Sequence, residues 1–315
     1  MLGYLLGRLT GGLVTLLGVC ALAFFATALA PGNPAAVLLG NQATPERIAA
    51  VTHQLGLDQP LPIRFAIWLG QTAQGDLGTS NLSFKPVNDL VLAALPPTLE
   101  LALASLTLAI VVAIPLGLLL AQHANKWWAR PAASLVTLGI SVPGFWVGLM
   151  LITIFSVMLG LLPSGGFVPV SRDIGENIRS LILPTVTLAI YLIPSIVRFV
   201  RVTAVAVLQE DYVDTARAKG VSPGRILMHH VAPNTLITTM TYLGLQLGVL
   251  ISGAIVIEIV FSIPGLGRLG MNAVLNRDYP VIQGVVLIAA SGYVLVNLLI
   301  DLTYAFIDPR IRTND

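Results

Sequence analysis

The chain carries little charge and almost no cysteine. Only 10% of its 315 residues are Asp, Glu, Lys or Arg, whereas an average soluble domain carries roughly 25%. The single cysteine, Cys20, lies in an apolar run, which excludes a disulfide within the chain and makes a thiolate metal site implausible. With 56% hydrophobic residues and a mean hydropathy of +0.86, the composition indicates an all-α integral membrane protein. The formal net charge of +2 gives no reason to expect a nucleic-acid partner.

Sequence signatures of catalysis are also missing. No lysine follows a glycine, so the phosphate-binding loop Gly-x4-Gly-Lys-[Ser/Thr] is absent. The sequence contains no His-Glu-x-x-His spacing, and the neighbouring His229 and His230 do not face the same way on a helix. We therefore expect this chain not to be an enzyme and to bind no metal or cofactor. Nucleotide hydrolysis, if the protein uses it, has to come from a partner.

Long charge-free windows are present instead. Six windows of 18 or more residues contain no Asp, Glu, Lys or Arg, and a spanning helix needs about 20 mostly apolar residues. The first window also resembles a signal peptide, because Arg8 precedes it and Ala28-Leu-Ala30 ends it, but its length and Pro31 favour an uncleaved span. Trimmed of their polar ends, the windows predict transmembrane helices near 9–30, 98–121, 134–162, 181–201, 235–262 and 281–307.

The basic residues of the short loops predict the orientation. Short cytoplasmic loops carry an excess of Lys and Arg. One side holds ten such residues: Arg8, Lys126, Arg130, Arg198, Arg201, Arg217, Lys219, Arg225, Arg310 and Arg312. The other side holds four: Arg172, Arg179, Arg268 and Arg277. We therefore expect a multi-pass membrane protein with both termini and the segment 211–233 on the cytoplasmic side.

The segment 31–97 is predicted to form a small extracytoplasmic helical subdomain. Thr44 can cap a helix whose first turn contains Pro45 and Glu46, and Ile48 and Val51 then share one face with Leu55. The segment is too short for a binding domain of its own. A cap or a docking surface for an external partner fits it better.

The segment 211–233 is the polar element between the fourth and fifth predicted spans. Residues 211–219 favour a helix with Asp211 and Asp214 early and Arg217 and Lys219 late, which suits the helix dipole. Gly220 is a natural C-terminal stop. The small residues of this helix leave a surface for close contact with another protein: Thr215, Ala216 and Ala218. A solvated linker helix is the alternative interpretation.

The same segment resembles the loop motif of ABC-importer permeases, Glu-Ala-Ala-x3-Gly-x9-Ile-x-Leu-Pro. Asp214-Thr-Ala216, Gly220 and Pro233 match it in the form typical of dipeptide, oligopeptide and nickel permeases. The departures are Asp214 for Glu, Thr215 for the first Ala, and His230-Val-Ala232 for Ile-x-Leu. Further stretches resemble the family in the family's order: Leu55-Gly-Leu-Asp-Gln-Pro60, Gly75-Asp-Leu-Gly78, Pro97-Thr-Leu-Glu-Leu101, Ser141-Val-Pro-Gly-Phe-Trp146, Leu181-Ile-Leu-Pro184, Pro264-Gly-Leu-Gly267, Asn276-Arg-Asp-Tyr-Pro280 and Ile307-Asp-Pro-Arg-Ile-Arg312.

The resemblance implies the type I permease fold of a peptide importer in the bacterial cytoplasmic (inner) membrane. Residues 1–30 would be the N-terminal transmembrane helix, 31–97 the extracytoplasmic subdomain, 98–307 the permease core with a coupling loop at 202–234, and 308–315 a cytoplasmic tail. The implied partners are a homologous second permease in a heterodimer, two ATP-binding subunits that hold ATP and Mg²⁺, a solute-binding protein and the lipid bilayer. The implied contacts with the ATP-binding subunit are Asp211, Tyr212, Asp214, Thr215, Ala216, Arg217, Ala218, Lys219, Gly220 and Pro233.

Two further sets of residues are candidates for transport. An ionised group inside a span is costly and is a functional candidate by default. Glu258 is therefore a candidate gate or substrate contact, with helix-end solvation or a structural pair as the alternative. Asp301, in the last predicted span, is more simply explained by pairing with Arg198 or Arg201. Ser141, Pro143 and Gly144 interrupt the third predicted span, which indicates either a break where backbone lines a cavity or a simple packing kink. The candidate pathway residues are Ser141, Pro143, Glu258 and Phe261. The candidate docking residues for the binding protein are Pro264, Gly265, Gly267, Arg277, Asp278 and Tyr279.

Other functions remain open at this point. The same architecture would serve to import nickel or another metal chelate. An ion-coupled secondary carrier would need its own coupling site within the membrane, such as paired acids, and would work without ATP. A scaffold or sensor subunit would keep the docking helix but tolerate filling of its cavity.

Overall fold

The protein is helical over most of its described length. The computed structural model describes residues 2–29, 34–39, 43–54 and 56–307. Extended pairing among these residues is limited to an isolated bridge between Thr79 and Pro86. The α-helices are α1 (Leu2–Ala28), α2 (Pro34–Leu39), α3 (Pro45–Gln54), α4 (Leu61–Ala73), α5 (Val87–Gln122), α6 (Ala129–Leu138), α7 (Gly144–Leu151), α8 (Ile174–Val207), α9 (Asp211–Ala218), α10 (Pro223–Ile226), α11 (Ala232–Val260), α12 (Leu266–Leu275) and α13 (Tyr279–Ile307).

Several helices are long and apolar enough to cross a bilayer. Among the described residues these are Gly7–Ala28 within α1, then α5, α8 and Tyr279–Leu299 within α13. A bent pair made of α6 and α7 gives up to five spans if the pair counts as one. The remaining predicted span, 235–262, coincides with α11, some of whose side chains lie outside the described ones. The count of six spans therefore stays a prediction.

The predicted third span is broken where the sequence predicted an interruption. After α6 the chain makes a short 3₁₀ turn at Gly139–Ser141 and then extends at Val142. The helical direction changes by 94° across the break. α7 then starts after Pro143 and continues as a π-helical segment, Ile152–Met158. Pro143 cannot donate a backbone hydrogen bond, which favours a helix start directly after it.

Two long helices begin earlier than the charge-free windows predicted. The second span was predicted to start near 98, and as a helix boundary this is wrong. α5 starts at Val87 and includes Pro96 and Pro97. Val87 and Val91 are buried, so tertiary packing overrides the local preference of proline. α8 starts at Ile174 rather than near 181, and the Asp173 side chain caps it by accepting from the backbone N–H of Glu176 (2.9 Å).

The smaller predicted features can be compared directly. α3 begins at Pro45 as predicted, and the Thr44 hydroxyl accepts from the backbone N–H of Arg47 at 3.4 Å. Other predicted features lie outside the described part of the chain. They are Leu55, the alternative cleavage site after residue 30, the side chain of Asp301 and the tail 308–315.

Two compact units make up the chain. The first contains Met1–Pro96 and Gly265–Leu298, and the second contains Pro97–Pro264 and Leu299–Asp315. The second unit is built around α8, which packs mainly against α11 and α7. Its buried face carries Leu188, Leu192, Ile196, Val197 and Val200 at helical spacing.

α5 approaches α8 closely through a glycine. A β-carbon on Gly117 would lie 2.7 Å from Val200 Cγ1 and 3.1 Å from the carbonyl oxygen of Val197. Small residues at helix contacts are the usual route to close packing in membranes, where lipid removes most of the hydrophobic drive.

Candidate functional sites

α9 is the polar helix that the sequence predicted between the fourth and fifth spans. It follows the extended residue Glu210 and buries two residues against the core of its own unit, Val213 (0% exposed) and Ala216 (7% exposed). Its other face is exposed and carries Asp211, Asp214, Thr215 and Ala218. The helix is therefore held by one face and presents the other.

The end of α9 has the geometry of a glycine-terminated helix. Gly220 has φ +75°. Its N–H donates to the carbonyl of Arg217 (2.9 Å), and the N–H of Val221 donates to the carbonyl of Ala216 (3.2 Å). This is the Schellman arrangement, in which a left-handed residue closes the helix. The predicted stop at Gly220 is confirmed.

Arg217 ties α9 to the end of α8. Its Nη1 lies 2.7 Å from Asp214 Oδ1, and its Nη2 donates to the carbonyl of Leu208 (3.3 Å). Both charged side chains are more than half exposed, so the ion pair contributes at most about 1 kcal/mol. Its effect is mainly to fix the orientation of Arg217 beside the exposed face.

The remaining predicted coupling residues are Tyr212 within α9, Lys219 directly after it and Pro233 in α11. Tyr212 is 43% exposed, and its ring centroid lies 6.4 Å from that of His230. Burial, together with the charge of Glu210, raises the pKa of the Tyr212 phenol, so this group stays neutral at physiological pH. Lys219 is exposed, and so is Pro233, which lies in the first turn of α11.

A cavity of about 550 Å³ lies between α7, α8 and α11. Among the described residues, Tyr191 supplies a hydroxyl group to a lining that is otherwise apolar and uncharged. The lining residues are Gly144, Phe145, Leu188, Tyr191, Gly248, Gly253, Val256 and Ile257. Sequence reasoning missed this set apart from the break before Gly144. The spacing of Gly244 and Gly248 in an apolar helix was an available signal of open space or close packing.

The four predicted pathway residues do not gather at this cavity. Ser141 and Pro143 lie exposed at the break before α7, whereas Glu258 and Phe261 are buried. The Thr98 hydroxyl donates to Glu258 Oε1 at 2.6 Å. The carbonyl of Phe261 accepts from the N–H of Gly166 at 2.7 Å. None of the four is among the residues that line the cavity.

The predicted docking residues surround α12, a helix that the sequence did not predict. Gly265 precedes the first turn of α12, and Gly267 lies in that turn. After the helix, Arg277 adopts φ +57°. Its N–H donates to the carbonyl of Val274 (3.2 Å), and the N–H of Asp278 donates to the carbonyl of Ala273 (2.8 Å). An arginine thus occupies the left-handed position that glycine usually fills.

The first unit is built from two separate sequence segments, and Asp278 joins this turn in the second segment to a loop in the first. Its Oδ2 accepts from the Ser80 hydroxyl (2.6 Å) and its Oδ1 from the N–H of Asn81 (3.0 Å). Asp278 and Ser80 are almost fully buried. Phe84, in the same loop, is 71% exposed and has φ +55°. Asp278 therefore positions this surface, while Phe84 is presented by it.

Long apolar helices, a polar helix with one exposed face, and a cavity whose described lining is uncharged are the features of a multi-helix membrane transport subunit. One family model, described as "Binding-protein-dependent transport system inner membrane component", matches residues 113–313. A second, for the N-terminal part of the same systems, matches residues 1–102. The chain belongs to this family, the permease subunits of ABC importers.

Relatives match over nearly the whole length. The glutathione transport system permease GsiC of Salmonella choleraesuis is 42% identical over 99% of this chain and 99% of its own. A probable peptide ABC transporter permease of Sinorhizobium fredii is 38% identical over 98% of this chain and 99% of its own. A putative peptide transport permease of Brucella abortus is 38% identical over 99% of both chains.

A solved structure shares the fold. A chain of the methionine ABC transporter MetNI in an inward-facing conformation aligns with a TM-score of 0.59. The alignment covers 70% of this chain and 96% of that one at 20% identity, so it bears on the fold alone. It agrees with the permease fold expected from the sequence.

Proposed function

We propose that this chain is one permease subunit of an ATP-driven importer of peptides. The observation that carries the proposal is α9, a helix packed by Val213 and Ala216 that exposes its opposite face. In a family that depends on ATP-binding partners, such a face fits a groove of the ATP-binding subunit. ATP binding then moves α9, and the spans change from inward-facing to outward-facing.

The direct contacts would come from the exposed residues of α9 and its surroundings. Asp211, Tyr212, Asp214, Thr215 and Ala218 contribute the presented face. Arg217 and Lys219 border it, and Ala216 and Gly220 fix the position and the end of the helix. Pro233 would contribute from the first turn of α11. Both termini and α9 face the cytoplasm in this proposal, in line with the distribution of basic residues. ATP and Mg²⁺ bind to the partners, and no cofactor binds to this chain.

The opposite side of the membrane would receive the solute-binding protein. The docking surface comprises Pro264, Gly265, Gly267, Arg277 and Tyr279, with Asp278 holding the turn in place. A homologous second permease completes the pathway. Ser141, Pro143, Glu258 and Phe261 would act on it from the break and from the packed end of α11 rather than as cavity lining.

The substrate class follows from the cavity and from the relatives. The names of the relatives specify peptides or glutathione, itself a small peptide. The lining residues that the structure describes carry no charge, so they suit a solute whose side chains vary and offer no fixed charge to select one side chain. Specificity would then lie mainly in the binding protein.

The subunit composition of the complex tests this proposal. A tagged chain is purified from native membranes in mild detergent, and the accompanying proteins are identified by mass spectrometry. We expect a second permease and ATP-binding subunits. A chain that purifies alone or only with itself would contradict the proposal and favour a secondary carrier. Binding of nickel or another metal chelate, but not of peptides, by the accompanying binding protein would reassign the substrate.

Substitution of Gly253 tests the cavity. A β-carbon at this position would lie 3.2 Å from Leu188 Cδ1 and 3.9 Å from Tyr191 Cδ1, so Gly253→Leu places a branched side chain in the open space. We expect the complex to assemble and ATP-driven uptake to fall about tenfold or more, equivalent to about 1.4 kcal/mol on the barrier. Gly253→Ala is the matched control and needs only a small shift of Leu188. Normal uptake by Gly253→Leu would exclude the cavity from the pathway.

A further inference from the structure

α4 is apolar on nearly all sides, although it lies in the segment predicted to stand outside the membrane. Its sequence is LPIRFAIWLGQTA, in which Arg64, Gln71 and Thr72 are the polar residues. A helix in a water-exposed subdomain normally has one apolar and one polar face. A helix without a broad polar face belongs in an apolar environment.

One face of α4 packs on the end of α1. The ring centroids of Phe65 and Trp68 lie 5.4 and 5.7 Å from that of Phe24, and Phe65 lies 5.5 Å from Phe25. Phe24 and Phe25 are in the last turns of Gly7–Ala28, the segment of α1 that is long and apolar enough to span a bilayer. α4 therefore lies where this span reaches the membrane boundary.

The opposite face of α4 is exposed and carries no polar residue. It is formed by Ile63, Ala66, Ile67, Gly70 and Ala73, which recur at intervals of three and four residues. Ile63 is 49% exposed and Ile67 is 50% exposed. Arg64 and Gln71 form only a narrow polar strip beside this face.

α3 provides the contrast within the same unit. This helix exposes Glu46, Arg47 and His53, the pattern of a helix in contact with water. The two helices are close in sequence, but the exposed face of α3 is suited to water and that of α4 to an apolar environment.

We propose that α4 lies in the membrane interface, with the face of Ile63 and Ile67 against the lipid acyl chains. Interfacial helices place their apolar face roughly 5–10 Å into the headgroup and acyl boundary. The span to which α4 is attached also exposes aliphatic residues, among them Leu17 and Leu22. Arg64 and Gln71 reach the headgroups, and Trp68 occupies the level that tryptophan favours.

Site-directed spin labelling of the assembled complex tests the proposal. A Cys20→Ala background removes the single native cysteine. Nitroxide labels are attached at Ile63→Cys and, separately, at Ile67→Cys, in nanodiscs of phosphatidylethanolamine and phosphatidylglycerol. Collision rates are measured with oxygen, which concentrates in lipid, and with a water-soluble nickel chelate. Ala50→Cys in α3 is the matched control.

We expect oxygen collisions to exceed nickel-chelate collisions several-fold at both α4 sites, and the order to reverse at Ala50→Cys. Predominant access of the nickel chelate at the α4 sites would place them in water and overturn the proposal. Low collision rates with both reagents would mean that protein, such as the second permease, covers the face, and would overturn it equally. The result is independent of the substrate, so a complex that passes this test but imports no peptide would contradict only the proposed function.

Discussion

Ala218→Arg in α9 is expected to abolish ATP-driven uptake while leaving the permease folded in the membrane. Ala218 lies on the exposed face, opposite the buried Val213 and Ala216, so a larger side chain there does not disturb the core of the chain. At a closely packed interface, however, it introduces a buried and unpaired charge, which costs about 2–5 kcal/mol. Since about 1.4 kcal/mol corresponds to tenfold in affinity, the ATP-binding subunit should bind at least about 30 times more weakly.

The measurement is the affinity of the purified ATP-binding subunit for the permease pair in detergent, together with uptake in proteoliposomes. Ala218→Ser is the matched control and should behave as the unmodified protein. Ala216→Arg should act differently, because it buries a charge within the permease itself and lowers the yield of folded protein. Unchanged affinity and uptake for Ala218→Arg would show that the exposed face of α9 does not contact the ATP-binding subunit.

Asp278→Ala is expected to release the docking turn. The substitution leaves the buried Ser80 hydroxyl and the N–H of Asn81 without the carboxylate that accepts from them. Each buried polar group left unsatisfied costs about 1–3 kcal/mol. Arg277 adopts a left-handed conformation that costs about 1–2 kcal/mol, and the hydrogen bonds of Asp278 help to hold it. We therefore expect the turn and the loop that carries Phe84 to lose their fixed arrangement.

Binding of the solute-binding protein to the complex measures this effect. An affinity loss of about tenfold or more is expected for Asp278→Ala, and limited proteolysis should show faster cleavage at the turn. Asp58→Ala, which removes an exposed acid from the same unit, should change neither. Normal affinity combined with faster cleavage would show that the turn is disordered by the substitution but does not dock the binding protein.

Local signals in the sequence predicted the features that depend on neighbouring residues. Gly220 as a helix stop, Thr44 before α3 and the break before α7 all follow from backbone preferences that act within a few residues. The membrane class follows from composition alone. The family resemblance rested on short motifs spread along the chain, and the family models confirm it.

Features that depend on distant contacts were not predictable in this way. Ser80 and Asp278 are 198 residues apart in sequence, and no local pattern pairs them. Ala216 appeared to be one of several small outer residues, but packing against the core decides which face of α9 points inward. The early start of α5 also depends on packing. Burial of Val87 holds the first turns of the helix in place, and the helix continues through Pro96 and Pro97.

ATP-dependent uptake by the reconstituted complex tests the central claim most directly. Proteoliposomes contain the complex purified through this chain, with ATP enclosed on the side of the ATP-binding subunits and the solute-binding protein with labelled peptides outside. The account predicts that peptides accumulate only when ATP and the binding protein are both present, and that Ala218→Arg abolishes the accumulation. Accumulation driven by an ion gradient without ATP would contradict it.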